Sequence, residues 1–397
     1  MGLGYIGLPT AALIASKGIK VYGVDINKEV VDTINRGKIH IVEPDLDGLV
    51  REVVESGYLE ASTSPEKADV FLIAVPTPFK EGNIPDISYV ESAIKMILPY
   101  LEEENLIIIE STSPVGTTEK MYELIIRERP ELKDKIYMAY CPERVLPGRI
   151  LYELQFNDRV IGGINPLSSQ KAKEFYFLFV KGELHETDAK TAEMCKLVEN
   201  AYRDVNIAFA NELSLICDKA GINVWELIRL ANKHPRVNIL WPGVGVGGHC
   251  IAVDPWFLIT QYPEESRLMK TAREVNLYKT EWVINKIKEN AKEFEKETGR
   301  KPKIACLGLT YKPDIDDLRE SPALYIVRRL LDEGYNVLAV EPHIQELDDF
   351  EIYELENALE ESDIVVILVA HSQFKCLNIR KEQILDFCGV LEVYGKC

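Results

Sequence analysis

The feature that most constrains this chain is its opening segment, GLGYIG, in which Gly2, Gly4 and Gly7 are spaced as GxGxxG and lead into a helical pattern. Such glycines allow a tight turn, close approach of the backbone to a pyrophosphate, and close packing of the following helix. Asp25 ends the next predicted strand, about 20 residues on, where an acidic residue accepts the ribose hydroxyls of NAD. The motif therefore predicts an NAD-binding βα unit. The alternative is an ordinary strand-to-helix turn with a solvated aspartate.

A GxGxxG turn normally follows a strand in the middle of its sheet, and here only Met1 precedes it. We therefore expect the first strand of this domain to be missing or truncated.

The alternation of apolar and amphipathic segments predicts the fold class. Strand-like runs and helical segments alternate over about the first half of the chain and again after residue 303, which is typical of α/β folds. Residues 189–296 have an almost wholly helical pattern, interrupted by the Pro- and Gly-rich loop at 234–255. We predict an α/β protein with two Rossmann-like, doubly wound parallel-sheet domains, residues 1–185 and 298–397, joined by a helical middle domain, residues 186–297.

Charge and composition exclude several classes of partner. The chain has 46 Lys and Arg against 64 Asp and Glu, a formal net charge of -18, which disfavours nucleic acids and anionic membranes. Its longest apolar runs are too short to cross a bilayer. The eight cysteines are scattered, with no CxxC pair and no metal-ligand spacing, so we expect a reducing cytoplasm and no metal.

A second glycine-rich segment, GVGVGGHC, ends at Cys250. Four glycines so close together are costly unless the backbone must approach something closely, and we expect that to be a ligand. A cysteine thiolate is a strong nucleophile that can attack an aldehyde carbon, and Asp254 follows four residues later. The alternative is a buried structural cysteine in a Gly-rich loop.

Further polar residues stand where ligands commonly bind. Lys196, Asn200 and Arg203 share one face of a predicted helix, and a Lys–Asn pair can stabilise an oxyanion. A solvated helix face is the alternative. Thr77 and Thr112 follow predicted strands, at the edge of an α/β sheet where ligands bind, although hydroxyls in such turns can also serve as caps.

Together these motifs resemble the UDP-glucose/GDP-mannose dehydrogenase family over nearly the whole chain. The resemblance rests on the segments 2–7, 111–116 and 141–143, on Lys196 and Asn200, on the glycine loop with Cys250 and Asp254, and on Lys312 with Arg319. Segments 39–44, 141–149, 203–216, 234–238 and 248–255 are most similar to members that act on UDP-N-acetyl-D-mannosamine. Pro147 stands where members acting on UDP-glucose usually have a second glutamate.

The resemblance implies a four-electron oxidation of the C6 alcohol of UDP-N-acetyl-D-mannosamine to the uronate, with two NAD+ per sugar. Cys250 would attack the intermediate aldehyde and carry a thiohemiacetal and then a thioester. Lys196 and Asn200 would stabilise oxyanions, and Lys196 or a water held by Asp254 would act as the first base. Glu143 would activate the water that hydrolyses the thioester.

The resemblance also implies the binding residues. Those for NAD are Gly2, Gly4, Tyr5, Ile6, Gly7, Asp25, Thr77, Thr112 and Arg319, with Thr112 also counted among the catalytic residues. Those for the UDP-sugar are Arg144, Val145, Lys196, Asn200, Arg203, His234, Arg236, Gly247, Tyr311 and Lys312. The middle helices would form a homodimer or a dimer of dimers, in which the His234–Arg236 segment reaches a neighbouring site. Cys388 replaces a lysine common in these relatives, so it receives no role.

Three other functions compete with this prediction. The same chemistry could act on UDP-N-acetylglucosamine or UDP-glucose. The chain could be a truncated, non-catalytic protein that binds a nucleotide sugar. A simple alcohol dehydrogenase of the hydroxyacid type would need no cysteine and would release one NADH per substrate.

Overall fold

The computed structural model describes residues 1–146, 148–375, 377 and 384–393. The chain divides into two compact units. The first comprises Met1–Glu199 with Trp256–Gln261, and the second comprises Asn200–Pro255 with Tyr262–Cys397. The three domain boundaries expected from the sequence stay predictions.

The structure contains strands and helices in the following order along the chain. The strands are β1 (Val21–Val24), β2 (Leu59–Ser62), β3 (Val70–Ile73), β4 (Phe79–Lys80), β5 (Ile84–Pro85), β6 (Leu106–Ile109), β7 (Tyr137–Tyr140), β8 (Arg159–Gly163), β9 (Leu184–Asp188), β10 (Lys303–Leu307), β11 (Asn336–Val340), β12 (Ile364–Ile367) and β13 (Ile384–Asp386). The α-helices are α1 (Gly7–Ala15), α2 (Lys28–Asn35), α3 (Leu46–Glu55), α4 (Ser88–Ile97), α5 (Thr117–Glu128), α6 (Ile150–Phe156), α7 (Pro166–Tyr176), α8 (Ala189–Ala220), α9 (Val224–Ala231), α10 (Pro255–Gln261), α11 (Arg267–Thr298), α12 (Pro322–Asp332), α13 (Leu355–Glu361) and α14 (Val390–Val393).

The first unit contains a parallel pair, β1 with β2, and a five-stranded sheet in the order β3-β6-β7-β8-β9. Met1 and Gly2 lie between these two sheets. The amide of Gly2 donates to the carbonyl of Val24 at 2.8 Å, and the amide of Ala74 donates to the carbonyl of Met1 at 2.8 Å. The glycine turn is therefore anchored to the ends of both sheets.

Strand β8 runs antiparallel to β7, whereas the other pairs of the five-stranded sheet are parallel. An antiparallel neighbour needs no crossover to the opposite end of the sheet. The connection from β7 to β8, residues 141–158, therefore stays at the carboxyl end of β7. Ligands bind at that edge of open α/β sheets, and this connection contains Glu143.

The second unit has a fully parallel sheet in the order β11-β10-β12-β13. Its apolar strands are buried on both sides, by α12 and α11 on one face and by α13 and the C-terminal segment on the other. The long helices α8 and α11 supply the helical middle of the chain. The predicted fold class, α/β with two Rossmann-like regions and a helical segment between them in sequence, is confirmed.

Among the described residues, the structure contains no helix with the length and apolar character that a membrane span requires.

Candidate active site

The glycine turn at the start of the chain has the geometry that its motif predicts. Gly2 has φ +84°, and a Cβ there would lie 2.6 Å from the carbonyl oxygen of Ala74. A Cβ on Gly7 would lie 1.8 Å from the carbonyl oxygen of Gly2, so the helix packs directly on the turn. A Cβ on Gly4 would meet nothing within 4 Å, which leaves room for a phosphate to approach the backbone.

The N-terminus of α1 has two properties that suit an anion. Four other helices begin with a side chain that caps a backbone amide, namely Asn27, Asn165, Asn223 and Ser321. Helix α1 has no such side-chain cap and no acidic residue in its first turn. Its amides and dipole can therefore receive a pyrophosphate.

Asp25 lies beside this turn. Its Oδ2 accepts a hydrogen bond from the amide of Leu3 at 2.9 Å, and its Oδ1 accepts one from the amide of Asn27 at 2.9 Å. Each carboxylate oxygen can accept a further bond, so the fixed side chain can still receive ribose hydroxyls. These residues fit NAD, which supplies a hydride acceptor when it is bound.

The other predicted cofactor residues of the first unit lie at the same edge. The Oγ1 of Thr77 is buried after β3 and has no hydrogen-bond partner in the described part of the chain. Such an atom is costly unless a ligand or water meets it. Thr112 is half-buried after β6, Ile6 is half-buried, and Tyr5 is exposed.

Glu143 and Lys196 meet in the first unit. The Nζ of Lys196 donates to the backbone carbonyl of Glu143 at 2.8 Å. The Glu143 carboxylate is buried, with Oε1 accepting from the amide of Arg144 at 2.6 Å and Oε2 lying 3.2 Å from the Arg159 guanidinium. Arg144 itself pairs with Glu199 at 2.8 Å, and Val145 packs against the apolar core.

Glu193 is a functional candidate that the motifs did not reveal. It lies on α8, and its carboxylate accepts from the amides of Gly116 and Thr118 at 2.5 and 2.8 Å and from the Thr118 hydroxyl at 2.6 Å. Burial raises the pKa of Glu193, and these hydrogen bonds oppose the shift. Glu193 thus caps α5 and holds the loop that carries Thr112. Glu193 lies near the buried apolar residues Ala189, Ala192 and Leu197 of α8, and this placement was its only signal in the sequence.

Three predicted catalytic residues come together in the second unit. The Nδ2 of Asn200 donates to Oδ2 of Asp254 at 2.6 Å, and both side chains are buried. The amide of Asp254 donates to the carbonyl of Cys250 at 2.8 Å, which closes a turn that begins at the half-buried Cys250. The spacing of Cys250 and Asp254 in the sequence therefore reflects one local structure that is tied to α8.

The glycine loop before Cys250 packs closely against the protein itself at two of its glycines. A Cβ on Gly247 would lie 2.5 Å from the carbonyl of Glu320, and one on Gly248 would lie 2.7 Å from the Tyr311 ring. The amide of Gly248 donates to the carbonyl of Arg319 at 3.1 Å. Three predicted binding residues, Gly247, Tyr311 and Arg319, therefore lie where this loop packs against the segment between β10 and α12.

The segment that carries Tyr311 and Lys312 follows β10 and is held from behind. Glu341 accepts from the amides of Leu309 and Thr310 at 2.7 and 3.1 Å, and His371 lies 3.1 Å from the same carboxylate. Although burial opposes ionisation, the bonds from His371 and the backbone lower the pKa of Glu341. Lys312 is exposed at this edge, where a phosphate can reach it.

The remaining predicted binding residues are exposed to solvent. Two residues that received no role in the sequence analysis, Cys388 and Pro147, are described with them. Arg203, His234, Arg236 and Arg319 are exposed, and Arg319 forms a bidentate pair with Asp317 at distances of 2.6 to 3.1 Å. Cys388 is half-buried, its Sγ donates to the carbonyl of Leu368 at 2.9 Å, and burial raises its pKa. Pro147 lies outside the described residues.

Asp314, His343 and His371 form the group of possible metal ligands found in the described part of the chain. Both ring nitrogens of His371 already have partners, because Nδ1 accepts from the amide of Asp314 at 3.0 Å and Nε2 faces Glu341. We therefore interpret this group as structural: its hydrogen bonds hold the segment that carries Lys312 in place.

Comparison with known proteins identifies the family. Models of the UDP-glucose/GDP-mannose dehydrogenase family match three segments in order: its NAD binding domain at residues 1–180, its central domain at 190–278 and its UDP binding domain at 305–392. The cofactor predicted from the glycine motif, NAD, is confirmed.

Individual relatives agree over nearly full length. The chain is 54% identical to the UDP-N-acetyl-D-mannosamine dehydrogenase of Escherichia coli K12, covering 98% of each chain. It is 55% identical to the NDP-N-acetyl-D-galactosaminuronic acid dehydrogenase of Ralstonia nicotianae, covering 96% of this chain and 92% of the relative. Among solved structures, the UDP-D-ManNAc dehydrogenase of Pyrococcus horikoshii superposes with a TM-score of 0.88 at 40% identity, covering 99% of this chain and 95% of the other. The chain belongs to the UDP-glucose/GDP-mannose dehydrogenase family, as its motifs predicted.

Proposed function

We propose that this protein oxidises the C6 alcohol of UDP-N-acetyl-D-mannosamine to the uronate, using two NAD+ per sugar. The observation that carries this proposal is the arrangement of Cys250, Asp254 and Asn200, in which a cysteine starts a turn that closes on a buried Asp–Asn pair. A dehydrogenase that stops at a ketone or aldehyde needs no such nucleophile. The relatives of that name at 54% identity support the choice of sugar.

The first oxidation needs a base and an oxyanion donor near C6. Lys196 carries three donor hydrogens, of which one is used by the Glu143 carbonyl, so two can face a substrate oxygen. A water held by Asp254 can take the alcohol proton; Lys196 can take it only when it enters the step as an amine with two hydrogens, and it then becomes the ammonium that donates to the oxygen. NAD+ held at the Gly2 turn and Asp25 would supply the hydride acceptor.

The second half of the reaction passes through Cys250. Its thiolate adds to the aldehyde carbon and gives the oxyanion of a thiohemiacetal. Loss of the C6 hydride from this oxyanion, for which a second NAD+ would be the acceptor, gives a thioester. Asn200 and Lys196 donate to the oxygen that becomes negative. Glu143 takes a proton from water as the water oxygen bonds to the thioester carbon, and the carbon–sulfur bond breaks to release the thiolate.

We infer that exposed cationic side chains bind the diphosphate of the substrate. We infer also that exposed apolar side chains form the interface between two copies of the chain. Arg203, Arg236 and Lys312 are exposed cations that can pair with phosphate oxygens despite the net charge of -18. Tyr202, Phe209 and Ile216 are exposed large side chains of α8, seven residues apart, as expected of an interface between two copies. A homodimer, or a dimer of dimers, in the reducing cytoplasm would suit a catalytic thiol.

A second candidate is the matching reaction on a nucleoside-diphosphate N-acetyl-D-galactosamine. It is favoured by the name of the Ralstonia nicotianae relative, which is 55% identical. Both candidates need the same Cys250 chemistry and differ only in the configuration of the sugar.

The test is a panel of UDP-N-acetylmannosamine, UDP-N-acetylgalactosamine, UDP-N-acetylglucosamine and UDP-glucose with NAD+. The preferred sugar should be the first, with two NADH released per sugar and little free aldehyde. One NADH per sugar would exclude the thioester route. In Cys250→Ser the first oxidation should survive for one slow turnover, and the uronate should not form at the wild-type rate.

A further inference from the structure

A buried polar cluster lies directly behind Glu143 in the first unit. It consists of Glu110, Cys141, Glu143, Arg159 and Tyr176, and we call it the Arg159 cluster. Burying charge is costly unless the charges are paired, so such a group in the interior of a sheet needs a reason. Only Glu143 has so far been given a chemical role.

Arg159 occupies the centre of this cluster. One terminal nitrogen lies 3.2 Å from Oε2 of Glu143, and the other lies 3.7 Å from Oε1 of Glu110. The guanidinium lies over the Tyr176 ring, with its central carbon 5.0 Å from the ring centre. A planar guanidinium can serve two carboxylates in fixed directions, which a lysine ammonium cannot.

The far side of the cluster holds Arg159 in place. The Tyr176 hydroxyl donates to Oε1 of Glu110 at 2.7 Å. Burial raises the pKa of Glu110 to about 7, with Arg159 opposing the shift and Glu143 adding to it. Arg159 itself remains protonated, since the neighbouring acids raise its pKa despite its burial.

The strand arrangement explains why these residues meet. Arg159 is the first residue of β8 and Glu143 follows β7, and the antiparallel pairing of these two strands brings both to one edge. The Glu143 carbonyl also accepts from Lys196 at 2.8 Å. The backbone of Glu143 is thus tied to Lys196, and the direction of its carboxylate depends on Arg159.

We propose that Arg159 is a positioning residue for thioester hydrolysis, which sets the direction of the Glu143 carboxylate, with Glu110 and Tyr176 fixing the guanidinium on its far side. This inference rests on the proposed function, because it assigns Glu143 to the hydrolytic step. Arg159 touches neither the cofactor nor the reacting carbon in this role. Its removal should therefore affect one step of the reaction and leave the others.

The main experiment compares wild type with Arg159→Lys in single turnovers of UDP-N-acetylmannosamine, with NADH release and intact-protein mass followed together. Arg159→Lys keeps the positive charge but loses the planar guanidinium, whose two terminal nitrogens face Glu110 and Glu143. Both hydride transfers should stay within about twofold of wild type, while a covalent adduct on Cys250 accumulates. Hydrolysis should slow by about tenfold or more, a part of the 10²- to 10⁴-fold that a general base contributes.

Two further variants make the test decisive. Adding Arg159→Lys to Glu143→Gln should slow hydrolysis no further, because Arg159 acts only through Glu143. Tyr176→Phe, which keeps the ring and is less disruptive, should slow the same step by about twofold or more if the guanidinium is held from behind. If Arg159→Lys does not fold, the comparison of Tyr176→Phe with wild type decides the question.

Arg273→Lys is the matched control. Arg273 is as buried as Arg159, but it belongs to the second unit and pairs with Asp204. It should lower stability without accumulating the adduct. Equal slowing of all steps in Arg159→Lys, or an additive effect on Glu143→Gln, would overturn the positioning role.

The outcomes also separate this inference from the proposed function. If Glu143→Gln stalls hydrolysis and Arg159→Lys and Tyr176→Phe do not, the inference fails and the proposed function stands. If no adduct on Cys250 forms in any variant and one NADH is released per sugar, the proposed function fails and the inference falls with it.

Discussion

Two arginines of this protein are buried to the same extent, about 3% exposed, yet they are paired in different ways. Arg273 lies 2.7 Å from one carboxylate, Asp204, which also accepts from Asn276 at 2.8 Å. Arg159 is shared by two carboxylates at 3.2 and 3.7 Å. The first arrangement is a close pair between α8 and α11. The second is looser and forms the centre of the Arg159 cluster, which we also call the loose cluster.

The difference shows that a buried arginine can be paired in two ways. The close, hydrogen-bonded pair fixes two helices, although Oδ2 of Asp204 and Nε of Arg273 are buried with no hydrogen-bond partner among the described residues. A shared guanidinium leaves oxygen lone pairs on each carboxylate, so that Glu143 can still accept a proton. At equal burial, the two arginines therefore differ in the geometry of their pairing, because Arg273 pairs with one carboxylate and Arg159 with two.

The largest effect should come from breaking the close pair. Asp204→Ala leaves the Arg273 charge buried without its partner, which should lower the free energy of unfolding by about 3–5 kcal/mol. The measurement is urea unfolding, together with hydrogen exchange of the amides of α11. A loss below about 1 kcal/mol would show that solvent reaches Arg273 and that the two arginines are not comparable.

A smaller and pH-dependent effect should come from Glu110→Gln in the loose cluster. The wild-type carboxyl has a pKa raised from 4.5 to about 7, so the folded protein keeps its proton between these values while the unfolded chain loses it. The stability of wild type relative to Glu110→Gln should therefore fall as the pH rises from 4.5 to about 7, by up to about 3 kcal/mol. Burial causes this shift, and Arg159, Glu143 and Tyr176, which face the carboxyl, modify it.

Hydrogen exchange of the β6 amides at pH 5 and pH 8 would measure this difference in the first unit. The difference should be nearly constant above pH 8. A difference that is the same at pH 5 and pH 8 would mean that Glu110 is ionised throughout and that Arg159 is neutralised by two charges.

The sequence predicts the parts of the site that local rules control. The turn at Gly2 and the position of Asp25 follow from the steric demands of one βα unit. The four-residue spacings of Lys196–Asn200 and Cys250–Asp254 correspond to one helix and one turn. The glycine spacing also identified Gly247 and Gly248 as sites of close approach. It could not predict that they approach Tyr311 and the nearby backbone, because those residues are distant in the sequence.

The Arg159 cluster was missed because its members are far apart in sequence and meet only through the order of strands. Glu110 and Arg159 each adjoin an apolar strand and look like solvated end residues, yet both are buried. The antiparallel direction of β8 was also unforeseen, since alternation of strands and helices favours parallel pairing.

The smallest effect should come from Tyr176→Phe, which isolates one hydrogen bond of the loose cluster. The ring remains under the guanidinium, so the loss reports only the hydroxyl that donates to Glu110 at 2.7 Å. A hydrogen bond to a neutral acid contributes about 1 kcal/mol, and one to a carboxylate contributes more, so the loss of stability should be about 1 kcal/mol at pH 5 and about 2 kcal/mol at pH 8.

The same bond favours the ionised form of Glu110 and so lowers its pKa, which burial raises. Without the hydroxyl, the pH window measured with Glu110→Gln should move to higher pH, because the carboxyl holds its proton longer. Hydrogen exchange of the β6 amides from pH 5 to pH 9 measures two quantities. They are the stability lost in Tyr176→Phe and the pH range over which the stability changes. A loss that is larger at pH 5 than at pH 8 would reverse the donor and acceptor in this pair, with Glu110 donating its proton to Tyr176, and Arg159 would then face a neutral partner on this side.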